Sequence, residues 1–157
     1  MLSADGATLI TEKEMVERLA VHFCDVLNRQ LSNNDEAIQR LPQMDKNPDL
    51  DVPPSEDEVA KAIKHMSSGK APGRDAIPAE VFKSGGPSLL QKLTALFQSS
   101  WENETLPQEF KDATIVHIYK RKGNKRSCDN HWGISLLSIA NKIMARFLLN
   151  WFLKHLE

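Results

Sequence analysis

Seven consecutive residues, Lys120-Arg121-Lys122-Gly123-Asn124-Lys125-Arg126, place five cations around one glycine. Arginine offers a bidentate fork and lysine a mobile point charge, and the glycine admits close backbone approach, so this stretch is suited to phosphate contacts. The same composition also describes a solvated hairpin or loop tip. Tyr119 and Trp132 flank the stretch; each is either a stacking platform for a base or a half-buried core residue. Ser68-Gly69-Lys70-Ala71 looks like the tail of a nucleotide-binding P-loop. It lacks the upstream glycine and the preceding strand, and reads as a helix end. His117, Cys128 and His131 are the one cluster of metal-ligand types, supply at most three donors at no standard spacing, and predict no zinc site. The serines fall at caps and turns, where local backbone bonds occupy their hydroxyls, so no Ser/His/Asp nucleophile set is expected.

The elements that must position these residues follow from pattern. Thr11-Glu12-Lys13-Glu14 is a capping box. It opens a helix expected to run to about Leu31, with Met15, Leu19, Phe23, Val26 and Leu27 on one face. Residues 32–54 turn rich in Asn, Asp, Gln and Pro without a period and read as a linker. A second capping box, Ser55-Glu56-Asp57-Glu58, starts a helix carrying Val59, Ile63 and Met66 and ending at Ser67-Ser68-Gly69. Between Lys70 and Pro78 two prolines lack donors and Gly73 invites positive φ, which predicts a shaped loop. Pro78 then leads a short helix through Phe82.

After Gly85-Gly86-Pro87 an amphipathic helix is expected to turn Leu89, Leu90, Leu93, Leu96, Phe97 and Trp101 inward. Residues 113–119 form a β-branched and aromatic strand whose partner lies either near 133–136 or outside these residues. From about Leu136 to Leu156 a helix shows a narrow polar line, Ser138, Lys142, Arg146, Asn150 and Lys154, and is apolar over most of the rest. Such a helix calls for burial on several sides, or for self-association or a protein partner on its apolar face.

At 157 residues and 41% hydrophobic content, the chain has room for one core but not for an assembly of several subdomains. Residues 1–60 hold 5 Lys/Arg against 13 Asp/Glu, and the remainder hold 15 against 8, so the second part is the basic one. Two distant cysteines, Cys24 and Cys128, give no disulfide framework. No secretory signal and no bilayer-length apolar run are seen, so an intracellular chain without membrane association is expected.

Three stretches taken in order carry a resemblance: residues 68–80 (Ser-Gly-Lys-Ala-Pro-Gly-Arg-Asp-Ala-Ile-Pro-Ala-Glu), 113–123 (Ala-Thr-Ile-Val-His-Ile-Tyr-Lys-Arg-Lys-Gly), and Gly133-Ile134-Ser135-Leu136-Leu137-Ser138 followed by Lys142-Ile143. In order and spacing they resemble the start of the reverse transcriptase domain of non-LTR (LINE-type) retrotransposons. The resemblance covers roughly residues 53–157. Residues 12–31 look like the helix that links that family's upstream endonuclease to its polymerase.

The resemblance implies an RNA-directed DNA polymerase with a right-hand fold, of which these residues form the fingers side. The expected class is α+β, mostly α-helical: an incomplete fingers region with an N-terminal helical extension. The expected organisation is an N-terminal helix and polar linker over 1–52, then a partial reverse transcriptase domain over 53–157 that stops before the catalytic aspartates. Lys120, Arg121, Lys122, Lys125 and Arg126 carry over as nucleic-acid or phosphate contacts, and Gly69, Lys70, Gly73 and Asp75 as a template-side loop. The implied partner is an RNA or DNA template, held weakly and in a salt-sensitive way.

No catalytic residue is assigned. Asp112 and Asp129 stand isolated, no metal is expected on these residues, and the Mg²⁺ of the complete family enzyme would be held elsewhere. Three positions depart from the family's pattern. Asn130-His131-Trp132 stands where it usually shows Asn-Tyr-Arg, so the bidentate phosphate grip expected of the arginine is replaced by an indole. Arg74 and Ala76 stand where it prefers Pro and Gly, and His117 where it often has Pro.

Overall fold

A computed structural model describes residues 11–28, 39–40 and 51–156. Along them run α1 (Glu12–Leu27), α2 (Glu56–His65), α3 (Ala79–Ser84), α4 (Gly86–Glu102), α5 (Gln108–Lys111), β1 (Thr114–Tyr119), a 3-10 turn (Cys128–Asn130), β2 (His131–Leu136) and α6 (Ile139–Leu156). The described chain is mostly helical with one two-stranded sheet, an α+β composition. Most of the linker expected over 32–54 lies outside the described residues.

One compact unit contains α2 to α5 as far as Ile115 and resumes at Ser135 with α6. Helix α2 begins as its sequence dictates. The Glu58 N–H donates to Ser55 Oγ while the Ser55 N–H donates to Glu58 Oε2 at 2.9 Å. Three acids sit in its first turn and Lys64 and His65 in its last, both favourable to the helix dipole.

Val59, Ala62 and Ile63 are buried and meet Leu93 and Phe97 of α4 and Ile139, Ile143 and Phe147 of α6, which recur every fourth residue along one stripe. Phe97 and Phe147 lie 5.5 Å apart, and Trp151 packs edge-on against both Phe147 and Trp101. The Trp151 indole N–H donates to Glu58, joining the end of α6 to the start of α2. Burying one such aromatic side chain contributes about 1.5–3 kcal/mol.

The second unit contains α1 and the hairpin residues Val116–Ile134. The Thr11 capping box is formed, and Leu19 and Phe23 bury against Cys128.

The structure corrects several expectations. Helix α1 stops at Leu27, where Asn28 leaves helical geometry and its N–H donates to the Cys24 carbonyl, short of Leu31. Val26 and Leu27 are exposed, whereas Leu19 and Phe23 are buried. In α4, Leu96 is exposed and Thr94, on the other edge of the Leu93–Phe97 stripe, is buried instead. Leu136 pairs in β2, so α6 begins at Ile139, with Ser138 Oγ accepting the Asn141 N–H at 3.1 Å. Gly73 is not where the chain turns left-handed; Gly69 (φ 68°) and Ala76 (φ 55°) are. Of the two alternatives for the partner of β1, the near one holds, with β2 spanning the expected 133–136.

Candidate nucleic-acid interface

β1 is built from Thr, Ile, Val, His, Ile and Tyr, which suits a pleated ribbon, and it pairs with the less β-branched β2, His-Trp-Gly-Ile-Ser-Leu. The Lys120 N–H donates to the Asn130 carbonyl at 2.8 Å. That bond sets Tyr119 opposite His131 and Ile118 opposite Trp132, so the two faces sort by alternation.

One face carries His117, Tyr119, His131 and Gly133. The His131 ring packs 5.4 Å from His117 and 5.5 Å from Tyr119, and its Nδ1 lies 3.0 Å from the Ser127 carbonyl. Gly133 is required here, since a Cβ would sit 2.5 Å from the Phe23 ring of α1. The opposite face carries Val116, Ile118, Trp132 and Ile134, all exposed.

The basic stretch is the connection between the strands, and side chains fix its backbone. Tyr119 Oη donates to the Gly123 carbonyl at 2.7 Å, Asn124 Oδ1 accepts the Arg126 N–H at 2.9 Å, and Asn130 Nδ2 donates to the Asn124 carbonyl at 2.9 Å. Arg121 (φ 56°) and Gly123 (φ 75°) make the reversal. Lys120 is committed: its ammonium donates to the Asp129 carbonyl at 2.7 Å and lies 4.5 Å from the Trp132 ring centroid. Arg121, Lys122, Lys125 and Arg126 are exposed, and among the described residues none of the four is paired with a carboxylate.

The other candidate cluster, the loop from Gly69 to Pro78, belongs to the helical unit. Glu80 Oε1 accepts the Gly69 N–H at 2.7 Å, a bond that leads the causes holding this carboxyl below its ordinary range. The Ala76 N–H donates to the Gly73 carbonyl at 3.1 Å, closing a β-turn with Arg74 and Asp75 at its centre, and Asp75 Oδ1 accepts the Ile77 N–H. Lys142 reaches the Ala71 carbonyl from α6 at 3.2 Å. Gly73 rests on the backbone of Leu137 and Ser138 so closely that a Cβ would fall 2.6 Å from Ser138 N. Lys70 is exposed.

A cleft of about 940 Å³ opens beside this loop, lined among others by Arg74, Asp75, Glu109, Asp112, Thr114 and Ser138. Sequence reading treated Asp112 as isolated, but folding sets it with Glu109 and Asp75 around one cleft. No local pattern announces this, because α5 has only four residues and its placement depends on distant contacts. Asp129 lies in the other unit, 3.8 Å from His22. Among the described residues no three His, Cys, Asp or Glu side chains are grouped to hold a metal ion. Nor is any described helix long and apolar enough to cross a membrane.

No protein-family model matches the chain. Among curated proteins, it is 31% identical over 94 residues to the RNA-directed DNA polymerase from mobile element jockey of Drosophila melanogaster, covering 60% of this chain and 10% of that one. It is 24% identical over 156 residues to the probable RNA-directed DNA polymerase from transposon X-element of the same species, covering 94% and 17%. It is 31% identical over 101 residues to the transposon TX1 uncharacterized 149 kDa protein of Xenopus laevis, covering 62% and 7%. The chain thus spans at most 17% of the length of these relatives. It is similar to the RNA-directed DNA polymerases of non-LTR retrotransposons, the family its three motifs resemble.

Proposed function

We propose that these residues are the fingers-side segment of a retrotransposon RNA-directed DNA polymerase, and that they grip template or nucleotide phosphates without performing the chemistry. The observation that carries this reading is the hairpin turn. Four exposed cations, Arg121, Lys122, Lys125 and Arg126, stand on a backbone held by Tyr119, Asn124 and Asn130. A held turn loses little conformational entropy on meeting a polyanion. The loop holding Gly69, Lys70, Gly73 and Asp75 is the template-side element of the reading, with Lys70 its exposed cation. Nucleotide addition needs carboxylates around two divalent ions, and in the complete polymerase another part of the protein supplies them along with the Mg²⁺.

Fluorescence anisotropy with a labelled single-stranded oligonucleotide, titrated at several salt concentrations, tests the grip. Four phosphate contacts predict a slope of log K against log salt near −3, at roughly 0.7 per contact on single strands. Alanine at all four positions abolishes the slope. Binding that survives those substitutions unchanged refutes the reading. Primer extension with Mg²⁺ on the same chain yields no product, and template-dependent synthesis refutes that part.

A second reading, self-association through α6, is favoured by the exposed Leu149, Phe152 and Leu153. Light scattering decides it: a dimer that Phe152→Asp dissolves supports it, and a monomer at all concentrations excludes it.

A further inference from the structure

We infer that Trp132 is a base-stacking platform, so that the hairpin holds an unpaired nucleic-acid strand by one base as well as by its phosphates. The inference deepens the proposed function and rests on its claim that the hairpin faces nucleic acid. Three observations carry it.

Trp132 is 60% exposed, the most exposed apolar residue on the ribbon, and no core depends on it. The other two tryptophans, Trp101 and Trp151, pack on each other in the helical unit. Tyr119, the other flanking aromatic, is spent on structure. It lies on the opposite face, its hydroxyl bound to Gly123 and its ring tilted on His131.

The indole is also positioned. Lys120 is anchored through its ammonium to the Asp129 carbonyl and lies over the ring, 4.5 Å from its centroid, which steadies the indole and covers one of its faces, so that a base would meet the other. Around it Val116, Ile118 and Ile134 form an exposed apolar face. An apolar face alone names no occupant. This one is continuous with a turn bearing four cations that no described carboxylate pairs, and an aromatic ring beside a track of positive charge is complementary to a strand with bare bases and a phosphate backbone. A duplex, whose bases are stacked and covered, offers the ring nothing. The residue type matters because an arginine at this position would grip phosphate, whereas an indole offers a π-face to any base.

The test compares the wild-type chain with Trp132→Ala and Trp132→Phe in anisotropy titrations on a short oligothymidylate and on an abasic strand of equal phosphate number. The expected result is roughly tenfold tighter binding to the base-bearing strand, the size of one base–aromatic stack. Trp132→Ala removes that preference and Trp132→Phe keeps part of it, and neither changes affinity for the abasic strand. Equal wild-type affinity for both strands, or equal weakening on both by Trp132→Ala, overturns the stacking inference and leaves the phosphate reading standing. Salt-sensitive binding to neither strand overturns both. Light scattering that shows a dimer dissolved by Trp132→Ala also overturns the inference, since the face would then belong to a second copy.

Discussion

Replacing Ala76 with glycine should make the protein more stable, against the usual direction of such a change. Ala76 sits at φ 55° at the end of the turn closed by its N–H on Gly73. A left-handed conformation costs an L-residue about 1–2 kcal/mol, and glycine adopts it freely. Against this, glycine makes the unfolded chain more disordered, which costs about 0.4–1 kcal/mol. The difference leaves Ala76→Gly stabilising by about 0.5–1 kcal/mol, or roughly 1–4 °C in Tm for a chain of this size. Two neighbours provide the controls. Gly69 is also left-handed (φ 68°), but a Cβ there would meet nothing within 4 Å, so Gly69→Ala carries only the conformational cost, about 1 kcal/mol or less. A Cβ on Gly73 would lie 2.6 and 2.7 Å from the Ser138 nitrogen and Cα, backbone atoms at the start of α6 that cannot swing aside, so Gly73→Ala should cost about 2–3 kcal/mol. Urea unfolding of the four proteins, followed by far-UV circular dichroism, should rank them Ala76→Gly, wild type, Gly69→Ala, Gly73→Ala from most to least stable. A less stable Ala76→Gly, or a Gly73→Ala as mild as Gly69→Ala, would refute the account of this loop.

Thr94 is 2% exposed and its hydroxyl has no hydrogen-bond partner among the described residues, so Thr94→Val should raise the urea midpoint by an amount equivalent to about 1 kcal/mol. For Glu58, burial pushes the carboxyl up, but hydrogen bonds from Ser55 and Trp151 together with Lys61 outweigh it and hold the group below its ordinary 4.5. A carboxyl lowered in the folded state stabilises above its unfolded value and ceases to do so as pH falls through the folded one. Glu58→Gln should therefore be less stable by about 1 kcal/mol near neutrality, with a flatter acid limb, the two proteins converging in acid when urea midpoints are followed down the pH scale.

What the sequence made legible is what short-range chemistry decides. The boxes Thr11 to Glu14 and Ser55 to Glu58 are formed because donor, acceptor and helix start lie within three residues of one another. β1 was readable from its β-branched run. The apolar stripes were readable at their centre but not at their edges: Leu96 and Thr94 flank Leu93 and Phe97 on opposite sides, about 200° apart around the axis, and which of them is buried depends on how α4 is rotated by packing. The reason for Gly73 is likewise tertiary. Its neighbours in space are 64 and 65 residues away along the chain, at Leu137 and Ser138, so a positive φ was the natural but incorrect expectation. Ala76 shows the converse. A glycine preference in the resembled family, read beside a φ of 55°, identifies the conformational demand that this alanine meets under strain. Arg74 fits the same turn, since its first central position favours proline, the residue that family prefers there.

The candidate site was legible as composition and not as geometry. Five cations in a row predict attraction to phosphate, but whether they are free depends on contacts that composition does not contain. Folding commits Lys120 to Asp129 and Trp132 and leaves the other four unpaired with carboxylates among the described residues. The indole at position 132 then changes how binding should respond to salt. Counterion release weakens the phosphate contacts as ionic strength rises, whereas a stacked base releases no counterions and its contribution persists. Raising the salt should therefore lower affinity for base-bearing and abasic strands in parallel, with their ratio unchanged. Trp132→Arg provides the contrast: a side chain acting there through charge adds about one phosphate contact and steepens the salt slope on both strands alike, whereas Trp132→Ala leaves the slope unchanged and removes only the preference for the base-bearing strand.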